Sequence, residues 1–171
     1  MITYNSRPAG VPERAIVHVG PEWTVKRYRQ RRDARAEVGW YERVPWAAPR
    51  PVYVEGADLI IPTLPVAANN PKWRPAQELV DLLNRLSEQG IHHRDVHTKN
   101  IVMGADGSPL LIDWETAGIY GTSVSYDLYG PEVSTVPMPR IHERLGVAAQ
   151  WWGSGQPYSI GREWGVDAPC L

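Results

Sequence analysis

Apolar positions change their spacing several times along the chain, and each change marks an element. Residues 14–19 and 23–28 are short runs rich in Val, Ile, Trp and Tyr on either side of Gly20 and Pro21, which predicts a hairpin. A helical spacing follows over residues 33–44 and is closed by Pro45; it sets Glu37, Tyr41 and Val44 on one face at i, i+4, i+7. Pro-rich loops then flank two further strands, residues 51–54 and 58–61. A linker over 69–75 leads into the clearest element, a helix over 75–89 with Leu79, Leu82, Leu83 and Leu86 as its stripe. Pro75 suits the first turn of that helix and Gly90 the position just past its end. Beyond it, residues 101–103 and 110–112 are apolar strands around Gly104, Ala105, Asp106, Gly107 and Ser108, and the Asp-Gly pair signals a tight turn. The order is sheet, helix, sheet, helix, an α+β arrangement, with no internal repeat and no low-complexity tail.

Composition narrows the setting. The chain has 171 residues, enough for one domain or two small lobes sharing a cleft. A net charge of −1 gives no global attraction to nucleic acid or to anionic membranes. The single cysteine, Cys170, cannot form an internal disulfide, and no apolar run has bilayer-spanning length. With no signal-peptide h-region at the start, a cytoplasmic location without a membrane partner is the expectation. Phe is absent while Trp and Tyr number eight each, so Trp must fill core positions that Phe often takes.

The polar residues around the second hairpin carry the chemistry. Folding residues 101–112 back on themselves brings Asn100, at the entry, beside Asp113, at the exit, and both face the space of Asp95 on the preceding loop. A side-chain amide and a carboxylate side by side are hard oxygen ligands suited to Mg²⁺. Asp95 is placed to accept a hydrogen bond from an attacking hydroxyl and orient it. That set fits phosphoryl transfer from Mg-ATP. Asp and Asn are also common turn residues, but the hairpin followed by apolar-apolar-Asp-aromatic argues against chance.

The run from His93 to Asn100 (His-Arg-Asp-Val-His-Thr-Lys-Asn) and the run Ile112, Asp113, Trp114, Glu115 resemble the catalytic and metal-binding loops of the protein-kinase-like superfamily. His97, two residues after Asp95, and the continuation through Thr116, Ala117, Gly118 to Asp127 and Leu128 resemble the aminoglycoside/choline phosphotransferase branch, whereas Arg94 is the protein-kinase choice. The resemblance covers about residues 23–130. It implies a bilobal fold with a small antiparallel-sheet N-lobe (1–66) and a reduced helical C-lobe (67–171), together one kinase-like domain. By the same resemblance Lys26 holds the ATP α- and β-phosphates, and Glu37 pairs with it, with Glu42 as the alternative because the spacing is short. Asp127 anchors the backbone of the catalytic loop from the start of a helix, with an ordinary helix cap as its other reading. Pro62 C=O and Leu64 N–H offer hydrogen bonds to the adenine edge, since proline lacks a donor but keeps its carbonyl. His93 supports the loop, and His97 either supports it or replaces a lysine near the γ-phosphate.

Three departures leave two function classes open. Gly10 and Gly20 are isolated, so there is no glycine-rich phosphate loop; the segment after Asp113 is short; and about forty residues follow Gly130, where such enzymes carry an acceptor-binding helical subdomain. Trp151, Trp152 and Trp164 in that stretch read as packing under the catalytic loop. One class is a minimal ATP-dependent phosphotransferase acting on a hydroxyl of a protein or other exposed substrate, with Thr116, Thr122, Ser123, Ser125 and Tyr126 near enough for autophosphorylation. The other is a catalytically weak, pseudokinase-like nucleotide-binding module. The run from Lys26 to Arg35 reads as a solvated basic face, and nucleic acid is not an expected partner.

Overall fold

A computed structural model describes residues 2–4, 14–70, 77–122, 124–130 and 134–139. Five strands form one antiparallel sheet: β1 (Ile2–Tyr4), β2 (Ala15–Val19), β3 (Trp23–Tyr28), β4 (Tyr53–Glu55) and β5 (Asp58–Pro62), in the order β1-β2-β3-β5-β4. The β2–β3 hairpin closes tightly, with Gly20 N–H on Trp23 C=O (2.9 Å), and the register pairs Val17 with Lys26. The sequence pattern had not shown β1. Strand β4 begins two residues later than the apolar run suggests.

Helix α1 (Arg31–Arg43) crosses one face of this sheet. Ala34, Glu37 and Tyr41 are its buried residues and Val44 follows as the C-cap, which makes one acidic position part of the inward face. Helix α2 (Gln77–Glu88) buries Leu79, Val80, Leu82, Leu83 and Leu86. Each such leucine removed from water contributes about 1.5–3 kcal/mol. Gly90 ends the helix at φ +69, a left-handed conformation that an L side chain adopts only at a cost. Of the linker, Asn69 ends a short 3-10 turn (Ala67–Asn69) and Asn70 follows it, while residues 71–76, Pro75 included, lie outside the described residues.

Two short ribbons follow. Strand β6 (Ile91–His92) pairs with β9 (Gly118–Ile119), and β7 (Ile101–Met103) pairs with β8 (Pro109–Leu111). The second hairpin thus starts one residue earlier on its return than the apolar run suggests, because Ile101 faces Leu111. Asp106 Oδ1 accepts from Ser108 N–H (2.9 Å), and Gly107 takes φ +84 in the turn. Helix α3 (Tyr126–Tyr129) closes the described part. Trp114 is wholly buried and belongs to one core cluster with Tyr28, Tyr41, Leu83, Ile101, Leu111 and Leu128. Among the described residues no helix is long and apolar enough to cross a membrane.

Candidate active site

Lys26 projects from β3 into a ring of three carboxylates. Its Nζ lies 2.9 Å from Glu37 Oε2, 2.6 Å from Asp113 Oδ1 and 2.9 Å from Glu115 Oε1. Burial alone would lower the Lys26 pKa, but the three negative charges, Asp113 foremost, reverse that and hold it well above the usual lysine value. The helical face carrying Glu37 brings it to Lys26, whereas Glu42 is exposed.

Glu37 is 2% exposed and has a partner at both oxygens. Oε1 accepts from Trp114 N–H (3.0 Å), while Oε2 accepts from Lys26 and from the Tyr28 hydroxyl. Burial raises its pKa to about 7, with the Lys26 charge opposing and the Asp113 charge adding to the rise. One carboxylate therefore ties β3, α1 and the segment after β8 together. The same surroundings push the buried Tyr41 hydroxyl well above its ordinary value, burial first and the Glu37 charge second.

Asp113 sits at φ 65, ψ 61, directly before a short 3-10 turn (Trp114–Thr116), and its side chain is 41% exposed. Aspartate tolerates this left-handed geometry better than most residues. Trp114 holds the turn: its indole N–H donates to Leu111 C=O (3.0 Å), and its ring packs between Trp40 (6.3 Å) and His93 (4.6 Å). Ile112 N–H donates to Asn100 C=O (3.0 Å), which sets Asn100 across the hairpin from the residue preceding Asp113.

Asn100 faces the other way to Asp95. Its Nδ2 donates to Asp95 C=O (2.9 Å) and to Asp95 Oδ2 (3.1 Å). Both amide hydrogens are thereby used, which leaves Oδ1 to act as an acceptor. Asn100 Oδ1 and the partly exposed Asp113 carboxylate are hard oxygen donors of the kind that suits Mg²⁺. The Asp95 side chain is 21% exposed, and His97 Nε2 stands 3.7 Å from Asp95 Oδ2. His97 Nδ1 accepts from Lys99 N–H (3.2 Å), so the ring is built into the loop.

The loop itself hangs from Asp127. His93 N–H donates to Asp127 Oδ2 (2.7 Å) and Arg94 N–H to Oδ1 (2.6 Å). The helix cap is Ser125, whose hydroxyl accepts from Leu128 N–H (3.3 Å), so Asp127 is not spent as a cap. Burial raises the Asp127 pKa to about 6 even though these two N–H groups favour the charged form. Arg94 takes φ 65, a costly conformation for a long side chain, and is fixed there by its own Nε on Thr116 C=O (2.7 Å). His93 is fully buried, with Nε2 3.0 Å from Ile112 C=O, and burial drops its pKa to about 4. The ring is therefore neutral with its proton on Nε2. Thr116 donates its hydroxyl to His93 C=O (2.8 Å), an internal role in place of the exposed one expected for a modification site.

Pro62 ends β5, and Thr63 N–H is committed to Glu22 C=O (2.8 Å) on the β3 side. Alternation along the strand turns Pro62 C=O to the edge away from β3, and Leu64 lies two residues past the strand end. Two contributors had no role assigned from the sequence. Glu115 was visible only as the last letter of a motif, and Tyr28 only as a strand residue; their contacts with Lys26 and Glu37 arise from tertiary packing. Trp151, Trp152 and Trp164 lie outside the described residues, as does Ser123.

A family model described as "Phosphotransferase enzyme family" matches residues 43–129, just over half of the chain. No curated protein matches. Among solved structures, the crystal structure of monomeric WbdD is similar at a TM-score of 0.51 and 20% identity, over 70% of this chain and 37% of that one. A medium-resolution structure of the bifunctional kinase-methyltransferase WbdD is similar at a TM-score of 0.47 and 15% identity, over 85% of this chain and 37% of that one. The chain thus spans little more than a third of the length of the structures it resembles.

Proposed function

The chain belongs to the phosphotransferase enzyme family and has a protein-kinase-like fold, and we propose that it moves the γ-phosphate of Mg-ATP to a hydroxyl group. The observation supporting this most directly is the meeting of Lys26, Glu37 and Asp113, which come from β3, α1 and the segment after β8 yet lie within hydrogen-bonding distance. A fold without a polyanionic ligand has no need to desolvate so many charges at one point.

In this reading Asp95 accepts a hydrogen bond from the attacking hydroxyl and aims it. Asn100 Nδ2 and His97 hold the Asp95 carboxylate in place. Lys26, fixed by Glu37, presents its charge to the nucleotide phosphates, and Pro62 C=O and Leu64 N–H present a hydrogen-bonding edge to adenine. Asp113 and Asn100 Oδ1 would hold Mg²⁺, which when bound neutralises charge on the transferring phosphoryl group. The acceptor is proposed to be a hydroxyl on a protein or another exposed substrate, consistent with the solvent-accessible Asp95 carboxylate. The single cysteine supports a cytoplasmic setting as part of the same proposal.

A second reading, a nucleotide-binding module with little turnover, has its own support. Lys26 and Asp113 are paired directly at 2.6 Å, and the tight Gly20–Trp23 turn offers no glycine-rich cover for phosphates. Transfer of labelled γ-phosphate by wild type, Asp95→Asn and Asp113→Asn separates the two. Loss of about 10²–10⁴-fold in the Asp95 variant is expected for the enzyme. Equal turnover in all three would exclude it, and Mg²⁺-dependent nucleotide binding without turnover would leave the module. A nucleotide-bound structure with adenine out of hydrogen-bonding reach of Pro62 and Leu64 would remove the adenine assignment.

A further inference from the structure

We infer that Glu115 is a positioning residue for Lys26, the carboxylate that keeps the ammonium aimed when Asp113 turns to another partner; this rests on the phosphotransferase reading. A lysine ammonium has three hydrogens to donate. Here three carboxylates surround it, at 2.9, 2.6 and 2.9 Å. They are not equivalent. Glu37 is saturated by Trp114 N–H, Tyr28 and Lys26, and cannot leave without breaking the junction of three elements. Asp113 is the most exposed, 41% against 14% for Glu115, and it is the one the proposed chemistry needs elsewhere.

Once Asp113 is engaged, Glu37 alone would tether a flexible four-carbon stem from one side. Glu115 supplies the second tether, and it comes from a stiff support. Its 3-10 turn is pinned by Trp114 N–H on Glu37, by Thr116 Oγ1 on His93 C=O and by Arg94 Nε on Thr116 C=O. Its two oxygens are also divided between partners. Oε1 faces Lys26, and Oε2 lies 3.9 Å from the Nη1 of the surface residue Arg14. Two fixed carboxylates leave one ammonium hydrogen for a phosphate oxygen, which positions the charge before any nucleotide arrives.

The test uses the full chain, whose only lysines are Lys26, Lys72 and Lys99, so the ¹⁵N ammonium signal of Lys26 is identified by its loss in Lys26→Arg. At one fixed pH near neutrality and without nucleotide, the Lys26 ammonium hydrogens are expected to exchange with water about fivefold faster in Glu115→Gln, the scale of the difference between a charged and a neutral acceptor. Glu115→Ala gives a second removal of the charge should the amide disturb folding. Glu115→Asp, which keeps the charge, is expected to exchange at a rate closer to wild type. Wild-type exchange in a folded Gln or Ala variant overturns the inference. A second arm measures Mg-ATP kinetics. A KM raised about fivefold with a smaller fall in kcat, partly restored by Glu115→Asp, supports positioning. An unchanged KM with lowered kcat speaks against it. If wild type shows no turnover, the phosphotransferase reading fails, and the ammonium exchange still decides whether Glu115 holds Lys26.

Discussion

At the scale of single residues, burial and pairing set several ionisable groups far from their free behaviour, and those shifts have signs that can be measured. His93 titrates near 6.5 when unfolded but at about 4 in the fold, because the charged ring would be desolvated. The stability it contributes is full above pH 6.5 and is lost as pH falls towards 4. Integrated over that interval the loss is on the order of 3 kcal/mol. Asp127 and Glu37, raised to about 6 and about 7, act in the opposite sense: their contribution is full below their unfolded values and fades as pH rises through 6 and 7. A wild-type profile alone would mix these effects. The difference between wild type and His93→Gln isolates the first: in urea unfolding at pH 7, 5.5 and 4, the stability gap is expected to narrow as pH falls. A gap that stays constant would mean the buried ring is not the acid-sensitive group.

At the scale of elements, the geometry of the candidate site depends on two joints. One is the Trp114 turn, which orients Asp113 on one side and Glu115 on the other. Trp114→Ala removes a wholly buried ring stacked on Trp40 and packed at a tilt against His93, and is expected to cost about 3–5 kcal/mol in chemical denaturation. The other is the end of α2, where Gly90 enters β6 and so aims the loop carrying Asp95. A Cβ at Gly90 would lie 2.5 Å from Tyr120 C=O, and φ is +69. Left-handed strain and the backbone clash together predict a loss of roughly 2 kcal/mol or more for Gly90→Ala, read as a lower thermal midpoint. Gly107, at φ +84 with nothing within 4 Å of its Cβ position, should show only the strain.

At the scale of the whole molecule, the two sides of the site are stitched together by the β7–β8 hairpin. Leu111 N–H donates to Ala47 C=O (2.8 Å), Met103 N–H to Pro65 C=O (2.9 Å), and Val66 bridges Val102. The Arg85 guanidinium of α2 lies 3.9 Å from the centre of the Trp46 ring. A ligand that touches Lys26 on β3 and Asp113 beyond β8 therefore stabilises elements separated by 87 residues. Under the proposed function, Mg-ATP at a hundred times its Kd should stabilise the fold by about 2.7 kcal/mol. Differential scanning with and without Mg²⁺ checks this. The shift is expected to need the metal and to disappear in Asp113→Asn, and a metal-independent shift would count against Asp113 as a ligand.

The sequence by itself determined the order of the longer elements, the leucine face of α2, the two tight hairpins and the approach of Asn100 to the end of β8, because each follows from local spacing and turn chemistry. It also presented Asp95 and Asp113 as a pair, since one short hairpin separates them. Only the tertiary structure decided that Glu37 rather than Glu42 reaches Lys26, that Asp127 carries the loop backbone while Ser125 caps its helix, and that Glu115 and Tyr28 belong to the site. Strands β1, β6 and β9 were equally hidden, being two or three residues long and defined by partners far away in the chain. Those facts depend on which helix face meets the sheet and on where desolvated charges find partners. Neither is written in the spacing of neighbouring residues; both arise when distant segments pack.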